Sequence, residues 1–129
     1  ACELAGPLLV SEGVRQKKLG LRLLDGLKNA GFKVWLNGHP ERKLPNTWNL
    51  SFEGYTSAQV MDALGKDIAV SPGAACHGDS VTASHVLMAM GLPKELCKGA
   101  IRFSFGRETT EEHIDTMIDT LQRRLIHAP

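Results

Sequence analysis

Long apolar runs, net charge and paired cysteines are all scarce in this chain of 129 residues. No run of about 20 apolar residues exists, so the sequence predicts no membrane-spanning helix. Fifteen basic against fourteen acidic residues give a formal charge of +1, which offers no electrostatic support for nucleic-acid binding. The three cysteines, Cys2, Cys76 and Cys97, are odd in number and lack metal-ligand spacings such as C-x-x-C, which argues against a disulfide framework. A reducing, cytoplasmic setting fits them better.

Motifs that identify a site by themselves are missing as well. The sequence contains no GxGxxG, phosphate-binding loop, GxSxG or HExxH pattern. No two histidines have metal-ligand spacing, so no metal site is predicted. We therefore expect surface or capping roles for four of the histidines: His39, His85, His113 and His127.

The length of the chain predicts a single domain over residues 1–129. A globular chain of this size buries about two-thirds of the surface that its unfolded form exposes, so it can build a proper core. The chain begins at Ala1, with neither an initiator Met nor a signal peptide. It is either a processed chain or a piece of something longer.

Apolar periodicity predicts helices at both ends of the chain. The first covers residues 11–30, with Ser11 as its N-cap. The last begins at a capping box formed by Thr109 and Glu112. Its apolar stripe consists of Ile114, Met117, Ile118, Leu121 and Leu125.

Shorter helices are predicted in the middle of the chain. Thr56 or Ser57 caps one helix, which closes at Gly65. Ser84 caps another helix over residues 86–90. Pro93 then starts a further short turn, a favoured position for proline.

Four strands are predicted, over residues 32–36, 47–52, 68–71 and 101–105. Apolar and polar residues alternate strictly in the second and the fourth, which is typical of strands with one buried face. Helices and strands are interspersed along the chain. We therefore expect an α+β fold in which a small mixed or antiparallel sheet is covered by helices.

Cys76 lies in a predicted loop over residues 72–83 that is rich in small residues. Long loops without structure of their own are often functional, and a reactive thiol needs access and room for a substrate. His77 could activate the thiol when protonated, although neighbouring residues in an extended chain point apart. Alternatively, Cys76 is a small buried hydrophobe or an incidental surface thiol, as we expect for Cys97.

Arg102 lies on the polar face of its predicted strand, opposite Ile101, Phe103 and Phe105. It is either an ordinary solvated side chain or a clamp for a carboxylate. A planar guanidinium binds carboxylates well, because two parallel N–H groups meet the two oxygens.

Five blocks of the sequence occur together in a familiar order. They read LNGHP at 36–40, LPNTWNLSF at 44–52, AVSPGAAC at 69–76, SHVLMAMG at 84–91 and IRFSFGRETTEEHID at 101–115. Over roughly residues 11–125 the chain resembles the C-terminal part of the pyridoxal-phosphate (PLP) cysteine desulfurases, which are NifS-like members of the class V aminotransferase superfamily. It also resembles their selenocysteine lyase relatives.

The resemblance implies a fold, an activity and two site residues. The fold would be that of the small domain of a fold-type I PLP-dependent transferase. Cys76 looks like the family's nucleophile, which takes sulfur from L-cysteine as a persulfide while L-alanine is released. Arg102 looks like the residue that binds the α-carboxylate of the substrate. The long loop implies sulfur transfer to an acceptor protein, as in iron–sulfur cluster assembly.

The resemblance also implies that most of the enzyme lies outside this chain. In this family PLP is bound by a Lys of a large upstream domain, and no Lys here has a matching context. We therefore expect no cofactor-binding residue in the chain, a homodimer formed through the large domain, and an isolated fragment that is inactive. The missing initiator Met then favours an excised fragment.

Three alternatives remain open. His77 stands where many close desulfurases have Ser or Thr, and the run ACHGD at 75–79 looks closer to selenocysteine-lyase-like members, so the substrate is either L-cysteine or L-selenocysteine. An isolated sulfur-carrier or partner-binding module would keep Cys76 without turnover. A stand-alone thiol enzyme would use Cys76 and His77 directly.

Overall fold

The computed structural model describes residues 2–72 and 84–126. Helices and strands are interspersed along this part of the chain, as the sequence predicts. In order, the elements are α1 (Cys2–Asn29), β1 (Val34–Leu36), β2 (Thr47–Phe52), α2 (Ser57–Leu64), β3 (Ser71–Pro72), α3 (His85–Ala89), α4 (Lys94–Lys98), β4 (Ala100–Ser104), α5 (Glu111–Leu121) and a π-helical turn (Gln122–Ile126).

The four strands form one antiparallel sheet in the order β1-β2-β4-β3. The central strands β2 and β4 share the longest ladder, which runs from Thr47 opposite Ser104 to Ser51 opposite Ala100. Because successive residues of a strand point to opposite faces, this register gives the sheet one apolar face and one polar face.

Helices α1, α2 and α5 cover the apolar face and enclose the main core. Helix α1 approaches β2 closely at Gly20, where an added Cβ would overlap the indole of Trp48. Burial of this face is the main stabilising force of the fold. The fully buried side chains include Leu23, Leu27, Leu50, Phe52, Val60, Leu64, Ile101 and Leu121.

A second, smaller cluster lies at one end of the polar face. Helices α3 and α4 pack there, and Leu87 and Cys97 meet Ala100 of β4. Cys97 is 4% exposed, and its Sγ donates only a weak hydrogen bond to the Leu92 carbonyl at 3.6 Å. The prediction that Cys97 is a small buried hydrophobe is confirmed.

Several predicted helix ends are confirmed. Thr56 and Gln59 form a capping box at the start of α2, and the left-handed Gly65 (φ +69°) ends that helix. The side chain of Ser84 caps α3 by accepting the N–H of Leu87. Pro93 is the N-cap of α4, where the sequence predicts only a turn.

Two predicted helix starts are wrong. Helix α1 begins at Cys2 and runs through Pro7, so Ser11 lies inside it and its hydroxyl donates to the Leu8 carbonyl. Ser11 cannot cap because the N–H groups after it take part in the helix. At α5 the cap is Thr110, paired with His113, whereas Thr109 accepts the N–H of Gly106 in the preceding turn. The predicted pairing of Thr109 with Glu112 is therefore one residue out of register.

The predicted strand at residues 68–71 is also shorter than expected. Only Ser71 and Pro72 pair, opposite Arg102 and Ile101 of β4. Pro72 has no N–H for a ladder, which confines it to an edge strand such as β3. The segment from Ile68 to Val70 is without strand pairing, although its apolar side chains pack against the core.

Candidate functional site

A row of four polar residues crosses the polar face of the sheet. Asn37, directly after β1, donates its backbone N–H to the Asn49 carbonyl at 2.8 Å. The register then places Asn49 opposite Arg102, and Arg102 opposite Ser71. Adjacent strands lie about 4.8 Å apart, so the four side chains stand next to one another within about 15 Å. We call Asn37, Asn49, Arg102 and Ser71 the polar row.

The ladder brings Asn49 and Arg102 especially close. Phe52 donates its N–H to the Gly99 carbonyl, and Phe105 donates to the Asn46 carbonyl. In an antiparallel ladder hydrogen-bonded pairs alternate with non-hydrogen-bonded ones, so Asn49 and Arg102 form a non-hydrogen-bonded pair. Side chains of such a pair have their Cβ atoms about 4.5–5.5 Å apart on the same face.

The guanidinium of Arg102 is exposed, and Ser71 is its only hydrogen-bond partner within the described ranges. Its Nη2 donates to the Ser71 hydroxyl at 3.4 Å, and none of the described carboxylates pairs with it. Arg15, by contrast, binds both oxygens of Glu12, and Arg22 binds both oxygens of Asp115. Arg102 therefore retains N–H donors for an external anion.

Asn37 organises the other end of the polar row. It is 8% exposed, and its Nδ2 donates both to Asn49 Oδ1 and to Ser51 Oγ, each at 2.8 Å. Ser51 is fully buried, so these bonds satisfy polar atoms that would be costly to leave unpaired. The carboxamide of Asn49 is consequently held by a buried neighbour.

Sequence reasoning identified Arg102 as a candidate but not the rest of the polar row. Asn37, Asn49 and Ser71 appear in the resembling blocks, yet none has a distinctive pattern of its own. The alternation in β2 is the available signal, because it places Asn49 and Ser51 on the face that Arg102 occupies. Only the strand order brings Asn37 and Ser71 alongside.

Cys76 and His77 lie outside the described residues, and the predicted thiol site is therefore untested. In the sequence, Cys76 follows Ser71 of the polar row by five residues and Pro72 by four. Four peptide units span at most about 14 Å. The covalent chain thus limits how far Cys76 can be from the strand that neighbours Arg102.

The histidines that the structure describes have the roles expected of them. His39 Nδ1 accepts the backbone N–H groups of Glu41 and Arg42 and so caps a turn. His113 completes the capping box of α5. His85 is exposed at the start of α3, and His127 lies outside the described ranges.

A groove of about 590 Å³ lies between α5 and the segment from Asp67 to Val70. Its lining is mixed, with Phe103 and Met117 among the apolar residues and His113 and Arg123 among the polar ones. Arg102 and the other members of the polar row do not line it.

Within residues 2–72 and 84–126, no cluster of His, Cys, Asp and Glu could hold a metal ion. Over the same ranges, no helix combines the length and the apolar character that crossing a membrane requires.

Comparison with known proteins agrees with the resemblance seen in the sequence. The family model described as Aminotransferase class-V matches residues 13–117. The chain belongs to the aminotransferase class-V family. The cysteine desulfurase IscS of Acinetobacter baumannii (strain AYE) is 44% identical over 118 residues. That of Klebsiella pneumoniae subsp. pneumoniae is 42% identical over 125 residues.

Two solved structures have the same fold. A NifS-like protein superimposes with a TM-score of 0.80 at 29% identity and covers 98% of this chain. The NifS-like protein of Rickettsia africae superimposes with a TM-score of 0.68 at 25% identity and covers 86% of it. These likenesses confirm the predicted α+β fold, that of the small domain of fold-type I PLP-dependent transferases.

The family members are much longer than this chain. It covers 29% of the Acinetobacter relative, 30% of the Klebsiella relative and 31% of the first NifS-like structure. The similarity therefore places the chain in a family, while most of the length of those relatives has no counterpart in it.

Proposed function

We propose that residues 1–129 form the C-terminal small domain of a PLP-dependent cysteine desulfurase. In this proposal the complete enzyme converts L-cysteine to L-alanine, Arg102 binds the substrate α-carboxylate, and Cys76 accepts the sulfur. Family membership and the 44% identity to a cysteine desulfurase support the activity. The observation that carries the site is the exposed guanidinium of Arg102, which has one neutral partner in the polar row.

The position of Arg102 suits a carboxylate clamp. The residue is fixed by ladder pairing on both sides, with Asn49 opposite it on β2 and Ser71 opposite it on β3. A guanidinium on a rigid strand presents its N–H fork in a defined direction, which favours bidentate binding of a carboxylate. The hydroxyl of Ser71 accepts a hydrogen bond from the guanidinium, and this contact helps to orient the fork.

Cys76 would act as the sulfur acceptor. The overall exchange is balanced without any other reagent: the thiol becomes a persulfide, L-cysteine loses its sulfur and L-alanine leaves. The acceptor thiol must approach the substrate that Arg102 holds. The chain connectivity supports this, because Cys76 follows β3, the strand next to Arg102, by four residues. An acceptor protein would then remove the persulfide sulfur.

The residues of this chain do not fit a PLP site. A cofactor lysine needs a cleft, and the lysines here are exposed, apart from Lys43 and Lys98. Lys43 lies over the ring of Trp48, and Lys98 pairs with Glu95. PLP would therefore be held by the remainder of the enzyme, which would also form the homodimer.

The test uses the full-length protein that contains this chain. Replacement of Arg102 by Ala removes the charged donor, and we expect the KM for L-cysteine to rise about 10- to 100-fold, the usual effect of losing a hydrogen bond to a charged group. R102K keeps the positive charge but lacks the fork of the guanidinium, so its KM should lie between those of the unaltered enzyme and of R102A. R42A, an exposed arginine in the loop after β1, is the matched control. An unchanged KM in R102A contradicts the clamp.

Cys76 is tested separately in the same full-length protein. C76S should abolish the protein-bound persulfide, detected by alkylation and mass spectrometry, because a hydroxyl does not accept the sulfur. C97S is the control, since Cys97 is buried in the small cluster beside α3. Normal persulfide formation and sulfide release by C76S would exclude the proposed acceptor.

L-Selenocysteine is the second candidate substrate, because the run ACHGD at 75–79 looks closer to selenocysteine-lyase-like members. The ratio of the kcat/KM values for L-selenocysteine and L-cysteine decides between the two substrates.

A carrier or partner-binding module is a further candidate. It predicts a natural protein with a mass near the 14.0 kDa of this chain. The desulfurase proposal instead predicts a natural protein more than three times as long as this chain, because the chain covers 29% of its relative.

A further inference from the structure

Asn49 lies beside Arg102 on the polar face, and within the described residues only the oxygen of its carboxamide takes part in a hydrogen bond. Its Oδ1 accepts the hydrogen bond from Asn37 Nδ2 at 2.8 Å. A carboxamide accepts at its oxygen and donates at its NH₂ group, so the bond from Asn37 leaves the NH₂ group of Asn49 available. The cross-strand neighbour of Asn49 on the other side is Arg102.

The Asn49 NH₂ group has no acceptor among the described residues. Asn49 is half-buried on β2, and its neighbour Arg102 offers only donors. Two sets of N–H donors therefore stand side by side on a non-hydrogen-bonded pair, with Cβ atoms about 4.5–5.5 Å apart. An arrangement of donors without an acceptor is suited to an anion.

The orientation of Asn49 depends on Asn37. Both N–H groups of the Asn37 amide are used, one for Asn49 Oδ1 and one for Ser51 Oγ, and the residue is 8% exposed. Asn37 is further held by its backbone N–H, which donates to the Asn49 carbonyl. A buried donor in a fixed place thus determines that the oxygen of the Asn49 amide is used within the protein and that its NH₂ group remains for another partner.

We infer that Asn49 is a second anion-binding residue of the Arg102 site and that Asn37 is its positioning residue. The ligand class is a carboxylate: Arg102 supplies the charge and the fork, and Asn49 donates a further N–H to a carboxylate oxygen, which has lone pairs to spare. This inference rests on the proposed carboxylate clamp and adds two residues to it. No proton or electron moves in this binding step.

The test is an NMR titration of the 129-residue chain, labelled with ¹⁵N, using sodium acetate as the probe and sodium chloride at equal ionic strength as the blank. We expect the Arg102 Nε–H and the Asn49 NH₂ resonances to shift together with one dissociation constant. N49A should weaken acetate binding about 2- to 10-fold, the usual effect of losing one hydrogen bond. T47A, on the same face of β2, should bind acetate as the unaltered chain does.

The variant N37D tests whether Asn37 orients the Asn49 amide or only stabilises the fold. An aspartate at position 37 accepts hydrogen bonds, so it should draw the Asn49 NH₂ group towards itself and turn Oδ1 towards Arg102. We expect N37D to change the Asn49 NH₂ resonances before any acetate is added. This change is the measure of positioning, because the added negative charge weakens acetate binding by itself. Thermal unfolding of each variant checks its fold, because N49A also leaves one N–H of the buried Asn37 without its acceptor. If N37D does not fold, the response of the Asn49 NH₂ resonances to acetate in the unaltered chain decides the role of Asn49.

The outcomes distinguish the inference from the proposed function. If acetate shifts Arg102 but not the Asn49 NH₂ group, and N49A binds acetate normally, the role of Asn49 is excluded while the Arg102 clamp survives. If the Asn49 amide responds to acetate but N37D leaves the acetate-free Asn49 NH₂ resonances unchanged, the positioning role of Asn37 is wrong. If acetate shifts neither residue, the Arg102 clamp itself fails.

Discussion

The two faces of the sheet are formed by the same strands but have different roles. On the apolar face, β2 and β4 contribute Trp48, Leu50 and Phe103 to a core covered by three helices. On the polar face, Asn49 and Arg102 of the same strands are accessible within the described part of the chain, where α3 and α4 cover one end. A side chain that stabilises the fold therefore alternates with one that can bind a ligand. The period of two in a strand makes this separation possible.

The largest difference between the faces is expected at two neighbouring residues of β4. F103A removes a ring that is 3% exposed, and we expect it to lower the free energy of unfolding by about 3–5 kcal/mol, because it leaves a cavity in the core. S104A, one residue further on the polar face, should change it by less than about 0.5 kcal/mol. Urea unfolding of both variants measures the difference. Equal losses of unfolding free energy in F103A and S104A would mean that the two faces contribute equally to stability.

The second prediction concerns the close approach of α1 to the apolar face. In G20A the new Cβ would overlap the indole of Trp48, so we expect a loss of about 1–3 kcal/mol through overpacking. G13A is the control on the same helix, because its Cβ would meet only Pro45 Cγ at 3.8 Å. That substitution should stabilise the chain by up to about 1 kcal/mol through helix propensity. A stabilising G20A would show that Trp48 can move aside.

The third prediction concerns the connection from β4 to α5. Arg15 of α1 donates to the carbonyls of Gly106 and Thr109 while it pairs with Glu12. R15Q should accelerate amide hydrogen exchange over residues 106–110 and cost about 1 kcal/mol, since the contacts are only partly shielded from solvent. R22Q, which breaks exposed pairs with Glu111 and Asp115 of α5, is the control and should leave this exchange unchanged. Equal exchange rates in the two variants would mean that the hydrogen bonds of Arg15 do not stabilise the connection from β4 to α5.

The fourth prediction is a pH dependence beside Trp48. Burial, and secondarily the charge of Lys17, lower the pKa of Lys43 to about 8, while the Trp48 ring below its ammonium favours the cation. The lowered pKa means that the unfolded chain binds this proton more tightly, so stability should rise between about pH 8 and pH 10. K43M should lose this rise, and K94M, an exposed control, should keep it. A flat profile in the unaltered chain would show that Trp48 compensates for burial.

Most of the fold could be predicted from local patterns. The bounds of β2 and the caps Thr56 and Ser84 are as the sequence predicts, because alternation and side-chain capping are local effects. The start of α5 was missed by one residue, since Thr109 and Thr110 are both capable caps and only the turn at Gly106 decides between them. Such ends depend on neighbours outside the helix.

The candidate site was predicted less completely, for a different reason. Arg102 was identifiable because it lies on the polar face of a strictly alternating strand, whereas Asn37 and Ser71 lie in short segments without periodicity. Their place beside Arg102 follows from the strand order β1-β2-β4-β3, in which strands distant in the sequence become neighbours. The predicted roles of Cys76 and His77 stay predictions, because both residues lie outside the described ranges.

By itself the sequence determined the family, the alternation of the central strands and Arg102 as a residue on the polar face. These depend on residue order and side-chain period, which need no tertiary information. Only the tertiary structure decided that Asn49 and Ser71 flank Arg102 and that Asn37 holds Asn49. The physical reason is that ladder register and side-chain hydrogen bonds form between segments that the chain brings together only when it folds.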